Sequence, residues 1–376
     1  MSQSLFSPDE ILQYQRHFVL DGFGEKAQAK LKSSRILVVG AGGLGCPALL
    51  YLAAAGVGNI GIIDFDIVEA SNLHRQILYG VKDIGQLKVD IAFNRLTDLN
   101  PNIEITRFPL RLTAQNALDI FSKFDLVLDG SDNFPTRYLV NDACLILKIP
   151  LIYGSISQYE GHISVFNYSY PDGSNGPNYR DLFPTPPMES LVNNCATAGV
   201  LGVLPGIIGA MQANEAIKLL AGIGELLVGR LHVLDALTLQ SRTLKINKIF
   251  PESSIIELID YEQFCNAESI AVPSISAETF HEWQKNKFGF QLIDVRELAE
   301  YEANNIGGIL IPMNSIKDRI TEIQRDKTLV IHCETGARSL QAVKALIRDY
   351  GFADTYYLDG GIKGLKYYES NQSISR

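Results

Sequence analysis

Short apolar runs recur along the first half of the chain, each followed by polar punctuation and then a helix-prone segment. Residues 35–40 (RILVVG), 59–64 (NIGIID), 103–108 (IEITRF) and 124–129 (FDLVLD) read as strands, and the segments opening at Leu44, Thr113 and Asn133 read as helices,. This alternation over residues 34–155 predicts a parallel sheet covered on both faces, because crossover helices leave neither face to water. Residues 168–190 (YSYPDGSNGPNYRDLFPTPPMES) are rich in Pro, Gly and Asn and too long for a tight turn, so a lid or a disordered segment is expected there,. The apolar stretch 198–211 (AGVLGVLPGIIGAM) is too short to span a bilayer and is broken by Pro205, which predicts a buried helix,. Periodicity fades after residue 250 and a second strand–helix alternation starts at ISAETF, residues 275–280. The expected organisation is a domain over 1–250, a linker over 251–274 and a smaller α/β domain over 275–376,.

Composition narrows the function classes. With 46% hydrophobic and 20% charged residues the chain has an ordinary globular balance, and 42 acidic against 33 basic side chains give a net charge of −9,. That sign disfavours nucleic acid as a partner, so any bound nucleotide is expected to be small. The opening MSQSLFSPDEILQYQRHF lacks the basic-then-apolar order of a signal peptide, and a cytoplasmic location without membrane association is expected,. The cysteines at 46, 144, 195, 265 and 333 are scattered and contain no CxxC pair, which argues for free thiols in a reducing compartment,.

The first strand runs into Gly40, Gly42 and Gly45, a G-x-G-x-x-G turn, with Asp64 nineteen residues after the last glycine. Glycines let the backbone approach a phosphate, the following helix offers free N–H groups, and an acid closing the second strand takes a ribose hydroxyl. A nicotinamide-dependent oxidoreductase would use the same elements. It needs one acid here, whereas the sequence supplies Asp64 and Asp66, then Asn72, Arg75, Gln76 and Lys88. Two cations beside a phosphate loop suit a triphosphate, whose charge must be neutralised before a nucleophile approaches. Asp132 and Asn133 follow the strand FDLVLD, on the ligand edge of such a sheet, where Asp132 is placed to hold Mg²⁺ bridging phosphates,.

The ordered set QYQRHF, GAGGLGCP, DFD, SNLHRQ, GQLK, SDNFPTR and NCATAGVLGVLPGIIGAMQANEAIKLLAG resembles the MoeB/ThiF adenylyltransferases, bacterial relatives of the ubiquitin-activating enzymes, over about residues 8–248. The resemblance implies a Rossmann-like mixed sheet with flanking helices. It implies ATP and Mg²⁺ as cofactors, with Gly40, Gly42, Gly43, Asp64, Asp66, Ser71, Asn72, Leu73, His74, Arg75, Gln76, Lys88, Asp132 and Asn133 around the nucleotide and Asp132 on the metal. Arg16 falls where the family has an arginine reaching into the partner subunit's site, which implies a homodimer. The implied reaction joins AMP to the C-terminal Gly-Gly of a small ubiquitin-like sulfur carrier. Many relatives hold structural zinc through two CxxC pairs; here Asn178 and Asp181 stand at the first and no cysteine lies near the second, so no zinc is expected. Cys195 matches a position where some relatives place a thiol that bonds covalently to the carrier. Cys46 and Cys144 read as packing residues and Cys265 has no assigned role,.

Three segments of the C-terminal part, FQLIDVRELAEYEANNIGGILIPMNSI, TLVIHCETGARS and YYLDGGIKGL, resemble in that order the elements of a rhodanese domain, over about residues 275–370. The match makes Cys333 the sulfur-carrying nucleophile. Consecutive N–H groups between strand and helix form an anion-binding nest, and the helix dipole with Arg338 favours a thiolate or persulfide. A phosphatase cradle also runs from cysteine to arginine, but the four residues Glu334–Ala337 make this ring one residue shorter, which suits a sulfane sulfur better. Asp294 and Arg296 read as a buried pair near the loop,. Together the halves imply adenylation of the carrier, followed by transfer of sulfur supplied by thiosulfate or a cysteine desulfurase persulfide. Such carriers serve molybdenum-cofactor, thiamine or related sulfur metabolism. A scaffold that binds a carrier without catalysis, and a nicotinamide oxidoreductase, are the alternatives.

Overall fold

A computed structural model of the chain describes residues 5–186, 199–266 and 272–374. The chain divides into two compact units, Met1–Asn266 and Ala267–Arg376.

In the first unit β1 (Arg35–Val39), β2 (Asn59–Ile63), β3 (Glu104–Phe108), β4 (Leu126–Asp129), β5 (Leu151–Ser157), β6 (Glu160–Phe166), β7 (Arg230–Asp235) and β8 (Ser241–Lys245) form one sheet in the order β3-β2-β1-β4-β5-β6-β7-β8. The first five pair in parallel and the last four antiparallel. Four of the five β1 residues are buried because both faces are covered: Ile36 and Val38 join one core layer, Leu37 and Val39 the other,. The edge strand β3, in contrast, leaves Glu104, Thr106 and Arg107 exposed.

Helices α1 (Gly45–Ala55), α2 (Lys88–Leu99), α3 (Phe134–Leu147) and α4 (Leu204–Ala221) flank this sheet. Helix α3 starts where the sequence predicts, because the Asn133 side chain accepts the Thr136 N–H at 2.9 Å as N-cap,. Helix α4 corrects the expected helix over 198–211. Residues 199–203 are not helical, Pro205 sits in the first turn of the helix, and the helix continues to Ala221,. It lies close against α1, since a Cβ at Gly209 would come within 2.3 Å of the Leu44 carbonyl oxygen.

The expected lid or disordered segment is also corrected over its described part. Residues 168–186 are pinned by a bridge between Ser169 and Asn175 and by the short helix Tyr179–Leu182, whose Tyr179, Arg180 and Asp181 are buried. Inside the stretch expected as linker, α5 (Tyr261–Asn266) sends Tyr261 into the core of the first unit.

The second unit is a five-stranded parallel sheet. Its strands β9 (Ser274–Ile275), β10 (Phe290–Asp294), β11 (Ile309–Leu310), β12 (Thr328–His332) and β13 (Thr355–Leu358) lie in the order β11-β10-β12-β13-β9. Helix α6 (Ala337–Tyr350) packs Ala342, Val343 and Leu346 against Ile293 and Ile331, while Phe280 and Leu365 cover Val330 and Leu358 on the opposite face.

Candidate functional sites

Strand order reverses between β1 and β4, and the crevice beyond their C-terminal ends is where ligands bind in such sheets. A cleft open to solvent lies there, lined by Gly40, Gly42, Gly43, Asp64, Asp66, Arg75, Gln76, Lys88, Asp132 and Asn133 among others. Its floor is the turn after β1. Gly40 has φ +88°, and a Cβ at Gly45 would sit 1.9 Å from the Gly40 carbonyl oxygen, so only glycines close this loop,.

The acids are committed to different tasks. Asp64 accepts the Ala41 N–H at 2.7 Å and the Asp66 N–H at 2.8 Å, which ties the end of β2 to the glycine loop; burial pushes its carboxyl up from the ordinary value. Asp66 pairs with the buried Lys88 at 2.8 Å. Asp132 is exposed in the cleft and has no ion pair among the described residues. Cys46, under the loop, hydrogen-bonds the Ala41 carbonyl, and burial pushes its thiol up to about 12, as befits a packing residue.

Not every expected residue reaches the cleft. Ser71, Asn72, Leu73 and His74 are outside its lining: Asn72 caps its own turn by accepting the Glu69 N–H at 3.2 Å, Leu73 packs on the core, and His74 Nδ1 meets the Ser71 carbonyl at 3.0 Å. Arg16 is exposed on the short helix Gln15–Phe18, away from the cleft of its own chain. Cys195 lies outside the described residues.

Sequence reasoning missed Arg111, Ser131, Thr136, Arg137 and Ile156, all of which line the cleft. For Arg137 a signal existed, because it stands one helical turn beyond Asn133 in the quoted SDNFPTR,.

Three buried side-chain atoms in the lining, Gln76 Oε1, Ser131 Oγ and Arg137 Nε, have no hydrogen-bond partner. Buried polar atoms are normally satisfied; the Ser131 hydroxyl, the glycine-loop amides and the cations Arg75 and Lys88 are donors that fit a phosphorylated ligand, and Gln76 Oε1 fits a hydroxyl donor,. A magnesium ion fits on different grounds. Mg²⁺ takes one or two carboxylates and completes its shell with phosphates and water, which the lone Asp132 satisfies without a preformed cage,.

Asn178 and Asp181, at the first of the two zinc positions of the resembled family, form a cross-link of their own. Asp181 Oδ2 accepts Asn178 N at 2.8 Å and Asn178 Nδ2 at 3.0 Å, while Oδ1 accepts the N–H groups of Ile249 and Phe250, each at 2.6 Å. Beside it Arg180 is bidentate to Asp142 at 2.9 and 2.7 Å, and its guanidinium lies over the rings of Tyr138, Phe250 and Phe264,. One carboxylate thus ties two segments almost 70 residues apart, with its four acceptor positions filled,.

The second unit presents a smaller site. Cys333 follows β12 and is buried at 1% exposure, and its Sγ accepts the Gly336 N–H at 3.2 Å, with Ser339 Oγ at 3.6 Å. Gly336 opens α6 with φ +93°. The backbone of the DGG segment closes on the loop, with Ile362 N on the Cys333 carbonyl and Lys363 N on the Glu334 carbonyl, both at 3.0 Å. Arg338 is near enough for its charge to act on Cys333, yet its fork is taken by Glu300 at 2.7 and 2.5 Å. Arg296 is likewise held by Asp294 at 2.8 Å and by Glu334 at 3.1 Å.

The first unit is therefore a nucleotide-binding α/β protein of the doubly wound class, and the second a parallel α/β unit that holds one cysteine in a loop of amides. The ThiF family model matches residues 14–254 and the rhodanese-like domain model residues 276–367. The chain belongs to the ThiF family and carries a rhodanese-like domain after it, as both resemblances imply. It is 45% identical over 368 residues to the probable adenylyltransferase/sulfurtransferase MoeZ of Mycobacterium tuberculosis, covering 96% of this chain and 93% of that protein. It is 47% identical over 266 residues to the sulfur carrier protein adenylyltransferase of Thermus thermophilus, covering 69% of this chain and 98% of that protein. Among solved structures, E. coli MccB with MccA-N7isoASN shares the fold with a TM-score of 0.56 at 20% identity, covering 65% of this chain and 74% of that one. Among the described residues no helix is long and apolar enough to cross a membrane.

Proposed function

We propose that this protein adenylates the C-terminal Gly-Gly of a small ubiquitin-like sulfur carrier and then sulfurates it from a persulfide on Cys333. The observation that carries the reading is the joining in one chain of a cleft lined by a glycine loop and cations and a strand-end cysteine whose sulfur takes the Gly336 amide. In the first unit the glycine loop, Gln76, Arg75 and Lys88 hold the triphosphate of ATP, with the ribose at Asp64. Asp132 would hold a magnesium ion, which would supply further charge neutralisation,. The carrier's carboxylate attacks the α-phosphorus and pyrophosphate leaves. A carboxylate carries no proton to remove, so alignment and neutralisation provide the acceleration and no general base is needed.

In the second unit a sulfur donor, thiosulfate or a cysteine desulfurase persulfide, loads Cys333. The terminal sulfur attacks the acyl adenylate, AMP leaves, and an acyl disulfide forms. A second thiol, for which Cys195 is the candidate, attacks the Cys333 sulfur and releases the thiocarboxylate, leaving a disulfide for an external reductant. Arg16 is assigned to the site of a second subunit. Its exposure beside the exposed Ile11, Leu12, Val19 and Leu20 supports a homodimer in which this face meets a partner,. Membership of the ThiF family sets the nicotinamide alternative aside.

The test is ATP–pyrophosphate exchange with purified protein, magnesium and small Gly-Gly-ending carriers. Exchange with one carrier and not with its tail-truncated form is expected. Exchange with none, from protein that forms a Cys333 persulfide, overturns the adenylation half and reduces the first unit to a binding scaffold.

A further inference from the structure

We infer that Arg137 binds the carboxylate at the end of the carrier, an assignment that rests on the adenylyltransferase reading and deepens it. Four cations line the cleft: Arg75, Lys88, Arg111 and Arg137. Lys88 is paired with Asp66 at 2.8 Å and Arg111 with Glu262 at 3.0 Å, while Arg75 donates to the Ser71 carbonyl at 3.1 Å. Arg137 has no carboxylate within ion-pairing distance among the described residues. Its contacts with the protein are weak ones, Nη2 to the Ser131 carbonyl at 3.3 Å and the hydroxyl of Tyr179, and the buried Asp129 acts on it by charge without direct contact. A guanidinium cannot shed its proton, and with no carboxylate in direct contact its fork is open to one from a ligand,.

Position along the sheet says which anion. Asp64 closes β2, the glycine loop follows β1 and Asp132 follows β4, so a nucleotide with its ribose at Asp64 runs from β2 towards β4. Arg137 lies beyond that run, over the ring of Tyr153 in β5 at 5.8 Å, with Ile156 of β5 in the same wall. Tyr153 is a fixed platform. Its hydroxyl donates to Ser155 Oγ at 2.8 Å, Ser155 meets His162 Nδ1 at 3.4 Å, and His162 Nε2 meets Glu160 at 2.7 Å. A carboxylate approaching a triphosphate is repelled by it, and a cation on the approach side offsets the repulsion. The planar fork matches a carboxylate in two-point contact, which an ammonium cannot reproduce.

The experiment measures binding of two forms of the exchange-competent carrier, one ending in the Gly-Gly carboxylate and one in the Gly-Gly amide, with a non-hydrolysable ATP analogue present. Wild type is expected to prefer the carboxylate at least tenfold. R137Q is expected to bind both forms alike, and R137K to raise KM for the carrier with kcat less affected. All three proteins are expected to bind the analogue alone within threefold. Two results overturn the assignment: R137Q that keeps the preference, or R137Q that loses analogue affinity as much as carrier affinity, which would make Arg137 a phosphate ligand. Wild type that binds the analogue but no carrier overturns both this assignment and the function it rests on, a pattern distinct from either R137Q result.

Discussion

Two turns in this molecule are built on one backbone plan and used in opposite ways. Each follows a buried parallel strand, β1 or β12, each has a glycine in the left-handed region, Gly40 at +88° and Gly336 at +93°, and each feeds a long helix. Around the first, the lining leaves Gln76, Ser131 and Arg137 atoms without a hydrogen-bond partner and Asp132 without an ion pair among the described residues. Around the second, the amide of Gly336 is already given to Cys333, and Arg296 and Arg338 already have their carboxylates. A nest of N–H groups at a strand-to-helix junction attracts negative charge in both. The difference is in what is left open: the first turn's lining keeps unmatched groups, while the second turn's amide and both arginines are already engaged within its own unit.

The sharpest way to break the comparison is to remove the sulfur. Cys333→Ser is expected to abolish persulfide formation, read by mass spectrometry after donor treatment, and to leave pyrophosphate exchange at the wild-type rate. Persistent labelling of this variant would move the nucleophile elsewhere. Next in size, Asp132→Ala should lower exchange by about 10²–10³-fold, the usual loss for a group that stabilises transferring phosphate charge. Persulfide loading should be untouched, because the second turn carries its own countercharge.

The carboxylate cross-link comes third. Asp181→Ala deprives four donors of their acceptor and is expected to cost about 2–4 kcal/mol in denaturant unfolding, since unsatisfied buried groups carry most of that penalty,. Chelators should leave the melting temperature of the wild type unchanged, because the link is made by hydrogen bonds. A chelator-sensitive melt would assign it to a metal instead.

The smallest effect sharpens the contrast. Glu300→Gln releases Arg338 and makes the second turn resemble the first, with a cation awaiting an anion. Use of the dianion thiosulfate is expected to rise a few-fold, limited by solvent screening of a half-exposed pair,. Mild acid should not mimic this, because the hydrogen bonds from Arg338 hold the Glu300 carboxyl down at about 2. With the folded value depressed, the pair's contribution is full above the ordinary carboxylate range and is lost only as pH falls through about 2,. A carboxyl titration of Glu300 by NMR checks the sign; a midpoint at the ordinary value would mean that the pair does not form in solution.

Much of both sites was legible because it is local. Gly40 to Gly45, Asp64, Asp132 with Asn133, and Cys333 to Arg338 each lie where a strand ends, and the apolar run before them marks that end. Ser71–His74 stand outside the lining of the cleft, with Asn72 and His74 each bonded within their own turn, a placement that the local sequence does not reveal. The loop over 168–190 misled for a different reason. In its described part Arg180 is spent on Asp142 and Asp181 on Ile249 and Phe250, partners that composition does not reveal.

By itself, then, the sequence determined which backbone turns form and which chemical groups they carry, since propensity, glycine freedom and hydrophobic period act over a few residues. Tertiary structure alone decided which charges stay unmatched. Arg137 and Arg338 are both arginines in the first turns of helices that follow a ligand loop, and nothing local separates them. One meets Glu300 from another helix in a direct ion pair, while the other meets the rings of Phe134 and Tyr153, the Ser131 carbonyl and the Tyr179 hydroxyl, with Asp129 acting on it only at a distance. Ion pairing is settled by distances of a few ångströms between segments that the chain brings together only on folding, and that is where the division between a ligand-seeking site and a self-contained one is made.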